Sequence, residues 1–504
     1  MGPGGKLFHS ILPEMIKRGL EDTATWESKH DDCVRYGWEV ISNVNLFFGQ
    51  AKFHISDPCI INHMMIASRS KFPKPAEVYA LLNVYGINVV TAEGALWARH
   101  RRVSSPAFSE SMAQLAWEQT ARVVNEMFET DWFKQGDEVN LDRVEKPLKE
   151  ITMLIIMGAA FGYVDDWIPQ QALPPGHTLT FRESLQSVLH NWYILSLVPK
   201  FFWGTEQNRR AMRPGGLAGS GWMGKRVQQT AVAYAELGRY MCDMVHEHQT
   251  GSTEAKRENR DVFSVMTAAI QSEKENTRMS MDEVLGNMFT LLLAGHETTA
   301  HTLAYVFGLL ALEEREQERL YEHIMTVVGQ RELEYSDFTK LDRVMGVMYE
   351  AMRLFPPIIG IPKYSAEDAH FTVEAAHSEE QLADPTLSEE SRTRKKQVFI
   401  PKGAEIGLNS AALHYNPKYW PNPYRFDPER FMKKDWPKGA FLGFSLGPRQ
   451  CLGKRFAEVE SIVTIALIIR QYKVSVDTTK FLEIAGESRL ARRYDCCRGS
   501  RSSP

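Results

Sequence analysis

The stretch that decides the fold reads Phe444-Ser445-Leu446-Gly447-Pro448-Arg449-Gln450-Cys451-Leu452-Gly453. It sets one cysteine in a tight, glycine-bounded loop that runs into an apolar segment, Phe456 to Ile469, with the character of a helix. A thiolate at such a place gains from the amino-terminal dipole and free N–H groups of the helix that follows. Gly447 and Gly453 let the backbone pass close to a flat macrocycle, and Arg449 can neutralise a carboxylate on it. A single cysteine near a helix start is ordinarily a small buried hydrophobe. Here the flanking pattern reverses that reading.

Working outward, three more groupings precede the loop. Glu350 and Arg353 stand three apart, so they share a helix face and can form an internal ion pair that reaches a third group. Asp427-Pro428-Glu429-Arg430-Phe431 offers that third member in Arg430. Farther back, Ser280 followed by Glu283 is a capping-box pattern, Asp282 suits the helix dipole, and apolar residues recur at helical spacing to about Leu312. This helix carries Ala294-Gly295-His296-Glu297-Thr298-Thr299, in which an acid, Glu297, stands beside a hydroxyl, Thr298, a pairing suited to proton delivery. Trp97-Ala98-Arg99-His100-Arg101 is the third grouping. Taken singly, each of these is commonplace on ordinary helices.

Their order gives the resemblance. FSLGPRQCLG resembles the haem-binding signature of the cytochrome P450 superfamily, Phe-x-x-Gly-x-Arg-x-Cys-x-Gly, at every fixed position from Phe444 to Gly453. Ala294 to Thr299 is similar to that family's oxygen-activation stretch, and Glu350-x-x-Arg353 with Arg430 to its structural triad. Trp97 and Arg101 match its Trp-x-x-x-Arg helix, whose side chains meet a haem propionate. Lys363 stands where many relatives place a propionate-binding arginine, keeping the charge but not the bidentate geometry.

The resemblance covers about residues 25–475, and its texture is most like that of fungal, basidiomycete-type members. It implies a mainly α (α+β) fold, a triangular helical domain with a small β-rich lobe, and haem b between the long helix and the Cys451 loop. Cys451 would be the axial iron ligand. Glu297 and Thr298 would deliver protons, with Gly295 clearing the approach of dioxygen and substrate. The implied activity inserts one atom of O2 into a small hydrophobic molecule, a terpenoid or other secondary metabolite. Electrons would come from an NADPH-dependent cytochrome reductase, with cytochrome b5 a further donor. The alternatives are a haem-thiolate isomerase or dehydratase, against which Glu297 and Thr298 argue, and a truncated, inactive haem binder.

Composition frames these readings. A chain of 504 residues with net charge −4 gives no global reason to expect nucleic acid. Length alone allows about two to four domains, although a helical enzyme around one large cofactor can be a single unit, here 1–504. None of the six cysteines has zinc-site spacing, and adjacent Cys496 and Cys497 suit a disulfide poorly. No segment reads as a signal peptide or a membrane span. The family's place at the endoplasmic-reticulum surface therefore implies a cytosolic or peripheral monomer if the chain is complete. Arg209 to Gly224 is expected to be a joint that can touch a membrane, and the tail after Lys480 departs from the family pattern.

Residues 367–397 are polar, without helical or strand period, and are expected to form a solvated insertion that packs no core. Arg99, Arg101, Arg102, Lys433, Lys434, Lys438, Lys454 and Arg455 would form a docking patch for an acidic flavoprotein. The segments Pro73–Val90, Val188–Val198, Phe289–Leu293 and Ile358–Ile361 are expected to line an apolar pocket.

Overall fold

A computed structural model describes residues 25–44, 51–130, 138–168, 173–197, 222–250 and 262–477. The expected strand at Asn45–Phe48, most of the Arg209–Gly224 joint and the 481–504 tail lie outside the described residues. The chain divides into two compact units. The first holds Met1–Pro75, Asn140–Lys149 and Thr298–Pro504; the second holds Ala76–Val139 and Glu150–Glu297.

The helices in chain order begin with α1 (Asp31–Tyr36), α2 (Pro58–Asn62), α3 (Ala76–Tyr79), α4 (Gly94–Ser104), α5 (Glu110–Phe128) and α6 (Glu145–Phe161). There follow α7 (Phe181–Leu197), α8 (Trp222–Thr250), α9 (Val262–Ile270), α10 (Met281–Leu312) and α11 (Glu314–Val327). The last are α12 (Asp342–Leu354), α13 (Glu379–Ala383), α14 (Glu389–Arg392), α15 (Ser410–His414), α16 (Glu429–Met432) and α17 (Lys454–Gln471). The strands are β1 (Val40–Val44), β2 (Ala51–Ile55), β3 (Gly360–Tyr364), β4 (Ala369–Glu374), β5 (Lys395–Ile400) and β6 (Glu405–Asn409).

The first unit carries both sheets. β1 and β2 pair antiparallel, β2 lies parallel to β6 with Phe53 opposite Ile406, and β3 closes the order β1-β2-β6-β3. Period-two burial explains the register, because Phe53 and Ile55 of β2 and Ile406 and Leu408 of β6 are all buried. β4 and β5 form a separate antiparallel ladder, Ala369 opposite Ile400.

That ladder overturns the reading of 367–397 as an insertion that packs no core. Val373, Ala375 and Ala376 are buried, and Glu374 between them is polar and half-buried. One face of a two-stranded ladder needs few apolar residues, so the composition concealed a strand pair.

The second unit is helical. α6 is apolar on most sides and buries Ile151, Leu154, Ile155 and Met157, whereas α5 starts from a Ser109 cap whose hydroxyl accepts from the Met112 amide. α7 and α8 pack together, with Arg226 Nε donating to Asn191 Oδ1 at 2.8 Å. The segment before α4 crosses α10 at a point where both chains are glycine. A Cβ at Gly86 would fall 2.1 Å from the Asp282 carbonyl oxygen, and one at Gly286 would fall 2.6 Å from that of Gly86. Among the described residues no helix is long and apolar enough to cross a membrane.

Candidate active site

The capping box at the start of α10 is formed. Ser280 N–H donates to Glu283 Oε2 at 2.8 Å, and Glu283 N–H donates to Ser280 Oγ at 3.2 Å. Glu283 does more than cap, because it also pairs with Arg99 and lies 3.3 Å from His100 Nε2. Asn287 Nδ2 donates to His100 Nδ1 at 2.9 Å and Asn287 Oδ1 accepts from the Val89 amide at 2.8 Å. Nδ1 is thus the acceptor and Nε2–H faces the carboxylate. Burial pulls the His100 pKa down, so a neutral ring fits this place. These contacts hold α4 against the first turns of α10. α4 carries Trp97, which is buried, and Arg101, which is half-buried; four apart, they share a face.

Two turns along α10 the structure separates residues that the motif had grouped. Gly295 faces α6, and a Cβ there would sit 3.0 Å from Ile156 Cδ1. A small residue therefore suits the packing of α6 against α10 at this point. Thr152 Oγ1 of α6 donates to the His296 carbonyl at 3.1 Å beside it. Ala294 is the exposed small residue here, and it shares a helix face with Thr298 four positions on. The sequence reading included Ala294 in the motif without giving it a role; the i, i+4 relation to Thr298 is the signal that marks it. The Thr298 carbonyl also accepts from Thr302 Oγ1 at 2.9 Å. Glu297 and Thr298 are both half-buried.

Phe289 corrects another expectation. It is fully buried and lies 5.3 Å from the ring of Tyr85, which stacks on Tyr234 at 4.5 Å. Together with Leu292 it belongs to the core of the second unit, so neither lines an open pocket.

In the first unit the structure brings Glu350, Arg353 and Arg430 together. Glu350 and Arg353 have no exposed side-chain surface and meet as a bidentate pair, Nε to Oε2 at 2.7 Å and Nη2 to Oε1 at 2.8 Å. Arg430 Nε approaches Oε1 at 3.4 Å, and the Asp427 amide donates to the same oxygen at 2.9 Å. Arg353 Nη1 donates to the His414 carbonyl at 2.7 Å.

His414 is a residue that the sequence reading missed. Its Nδ1–H donates to the Arg353 carbonyl at 3.1 Å, and its Nε2 accepts from the Leu442 amide at 2.8 Å. It therefore ties the end of α12 to the chain that enters the cysteine loop. Complete burial, and then the charge of Arg353, push its pKa down to about 3 and keep it neutral. A lone histidine at the end of the short helix α15 carries no local mark of this role.

The loop itself is shaped by two residues with positive φ, Ser445 (59°) and Gly447 (65°). Cys451 N–H donates to the Phe444 carbonyl at 2.9 Å and closes it. At Gly447 a side chain is excluded twice, by φ and because a Cβ would sit 2.8 Å from Ile66 Cγ1. Phe444 is buried, 5.9 Å from the Tyr349 ring, and Arg449 is half-buried in a short 3-10 turn. Cys451 is exposed, two residues before the Gly453 N-cap of α17. Lys363 is buried on β3, opposite Ile406 of β6.

The family model for cytochrome P450 matches residues 217–372 and 389–493. The chain belongs to the cytochrome P450 family. It is 35% identical to cytochrome P450 monooxygenase 124 of Postia placenta over 494 residues, 97% of this chain and 88% of that protein. It is 28% identical to cytochrome P450 monooxygenase prx9 of Penicillium rubens over 525 aligned residues, covering 93% of this chain and 83% of the relative. Among solved structures, the haem domain of cytochrome P450DA superposes with a TM-score of 0.62 at 19% identity, covering 86% of this chain and 82% of that one. A zebrafish cytochrome P450 gives 0.60 at 18% identity, with 86% and 88% covered.

The protein is accordingly a P450 monooxygenase of the fungal type, and its cofactor is haem b. The residues present fit that group. Burial, and then nearby acidic residues, push the thiols of Cys33, Cys59 and Cys242 up and hold them protonated. Cys451 is the described thiol that stands exposed at the head of a long helix. The P450 acts on a hydrophobic substrate with O2 and a redox partner.

A further group was legible only in three dimensions. Glu460 of α17 is completely buried, and burial holds its carboxyl in the acid form against the opposing effect of the Thr299 hydroxyl. Nothing in an apolar helix sequence marks which of its acids is neutral.

Proposed function

We propose that this P450 hydroxylates a small to medium terpenoid or another fungal secondary metabolite, with electrons from a separate NADPH-dependent cytochrome reductase. The observation that carries the reading is the open face of α10. Leu291, Ala294 and Thr298 follow one another on one face, Ala294 exposed and the other two half-buried, and this stripe is apolar except for a single hydroxyl. Ile358, 54% exposed just after Pro356-Pro357, adds a second apolar contact in the first unit. Such lining favours an apolar skeleton with few polar handles.

Thiolate-ligated haem iron, when bound, activates O2 so that one oxygen atom enters a C–H bond and the other leaves as water. Cys451 would be its ligand. Lys363 and Arg449 in the first unit, and Trp97 and Arg101 in the second, are the donors suited to its carboxylates. Phe444 packs behind the thiolate loop. Glu297 takes protons from solvent and Thr298 passes them inward through its hydroxyl. The Glu350, Arg353 and Arg430 group holds the loop's approach and does no chemistry. Exposed Lys433, Lys434 and Lys438 suit an acidic flavoprotein surface, with cytochrome b5 as a second donor and the endoplasmic-reticulum face as the place of work.

The test is the carbon monoxide difference spectrum of the reduced protein, followed by reconstitution with a fungal NADPH-cytochrome reductase. The protein would be offered a terpenoid panel and a fatty-acid panel, because a human relative at 23% identity is named an ultra-long-chain fatty acid omega-hydroxylase. A thiolate-type Soret band with hydroxylated terpenoid products supports the reading. Products from fatty acids alone overturn the substrate class, and a histidine-type band overturns the role of Cys451.

A further inference from the structure

Helix α1 of the first unit carries a cluster that the monooxygenase reaction does not use. His30 and Cys33 are three apart at α1 and share a face. Gly37, with φ +76°, ends α1 in a left-handed turn, and the chain reverses so that Glu39 returns against Cys33 just before β1. One ligand atom from each of His30, Cys33 and Glu39 lies within 4.8 Å of the others, and all three residues are buried.

The surroundings provide partners for Cys33 and Glu39 but none for the His30 ring nitrogens. His30 is 3% exposed, yet neither ring nitrogen has a hydrogen-bond partner. The carbonyls of Ala412 and His377 lie near enough to influence the ring without completing a bond. The Ser56 hydroxyl is 2.9 Å from Glu39 Oε2 and 3.3 Å from Cys33 Sγ, while Asn416 Nδ2 donates to Glu39 Oε1 at 2.8 Å.

We propose that His30, Cys33 and Glu39 form a structural zinc site that fastens α1 to the β1 side of the first unit. The donor set is nitrogen, sulfur and oxygen, which favours zinc over magnesium or calcium. Tetrahedral zinc with ordinary bond lengths holds its ligand atoms about 3.3–3.8 Å apart. The observed 4.8 Å envelope therefore needs a contraction of about 1 Å, within the reach of side-chain rotation. Ser56 Oγ is the adjacent donor for the fourth position. Asn416 steadies the carboxylate, and Ala412 or His377 offers a carbonyl for the second imidazole N–H, the usual support for a metal-bound histidine.

Charge supports the same reading. Burial and the nearby carboxylates of Glu39 and Asp32 push the Cys33 thiol up, although Ser56 opposes this. Burial first, and then Asp57, raises Glu39 to about 7 against Ser56, Asn416 and Lys418. Burial, with His377, lowers His30 to about 4. A Zn2+ ion displaces one proton from the thiol and one from the carboxyl, both to solvent, and leaves a buried site with no net charge.

The test uses the full haem-loaded chain, stripped with a chelator and titrated with Zn2+ and, separately, Co2+, with iron counted apart from zinc. Expected are one tight equivalent per chain, a thiolate-to-cobalt charge-transfer band, and release of protons to solvent as zinc binds. Cys33→Ala should lose the band and at least tenfold in affinity, whereas Cys59→Ala, at an exposed cysteine, should keep both. Cobalt binding without a thiolate band in the wild-type chain refutes the site, even if Cys33→Ala fails to fold. Unchanged zinc binding in folded Cys33→Ala refutes it as well.

Discussion

Removing the Glu350 carboxylate tests whether the buried ion pair holds the cysteine loop's foundation. In Glu350→Ala, Arg353 loses both carboxylate bonds, of 2.7 and 2.8 Å, and keeps only the carbonyls of His414 and Arg425. The Asp427 amide loses its 2.9 Å acceptor, and Arg430 loses its nearest anion. Breaking one side of a buried pair costs about 3–5 kcal/mol, and an orphaned buried amide adds about 1–3 kcal/mol, partly relieved by entering water. The loss is thus on the order of 4–6 kcal/mol, a large share of the roughly 5–15 kcal/mol that holds a domain together. Glu350→Gln keeps one acceptor oxygen but loses the charge, so about 2 kcal/mol is expected. The control is Glu367→Ala, whose partner Lys71 shares a half-exposed surface pair, where less than about 1 kcal/mol is expected. Urea unfolding, followed by circular dichroism and by the Soret band in parallel, measures all three. Glu350→Ala that unfolds within about 1 kcal/mol of wild type and keeps its thiolate band would refute the reasoning.

His414 should make stability fall in acid. Its pKa is about 3 folded against 6.5 ordinarily, so the unfolded chain binds the extra proton between these values and stability drops as pH falls from 6.5 toward 3. The wild-type minus His414→Gln difference should change by up to about 1.4 kcal/mol per pH unit in that window; a flat difference in urea melts would remove the assignment. Glu460→Gln should fold normally and gain on wild type as pH rises above the ordinary glutamate value of 4.5, since the buried acid form is then increasingly disfavoured relative to the unfolded chain. Equal pH profiles for the two proteins would count against a neutral carboxyl. Gly295→Ala should destabilise by about 1–3 kcal/mol through Ile156, with partial recovery in Gly295→Ala/Ile156→Val; simple additivity in thermal melts would show that the two do not meet. Thr298→Ala should keep haem binding but consume NADPH without matching product, and coupled turnover measured against product would remove Thr298 from proton delivery.

Much of this protein was determined by sequence read locally. The Ser280 to Glu283 cap, the helical period through α10 and the loop from Phe444 to Gly453 each depend on residues a few positions apart, and short-range backbone chemistry fixes them. The Glu350 and Arg353 pair was legible for the same reason, since three positions on a helix place two side chains together. Arg430 could be added only through the resemblance in the order of motifs, because 77 residues or more separate it from its partners in the chain.

Tertiary structure decided the rest, and distance along the chain is the physical reason. β2 finds β6 across some 350 residues, and the Val373 face of the 367–397 segment has meaning only once its antiparallel partner is present. The contact of Gly295 with the Ile156 side chain, 139 positions earlier, likewise has no mark in the sequence. His414 acquires its neutral, bridging state from Arg353 and Leu442, on either side of it in the chain. His30, Cys33 and Glu39 are near neighbours with no recognised metal spacing. Burial beside Ser56, Ala412 and Asn416 gathers them and leaves the His30 ring nitrogens without partners, which a low-dielectric setting makes costly.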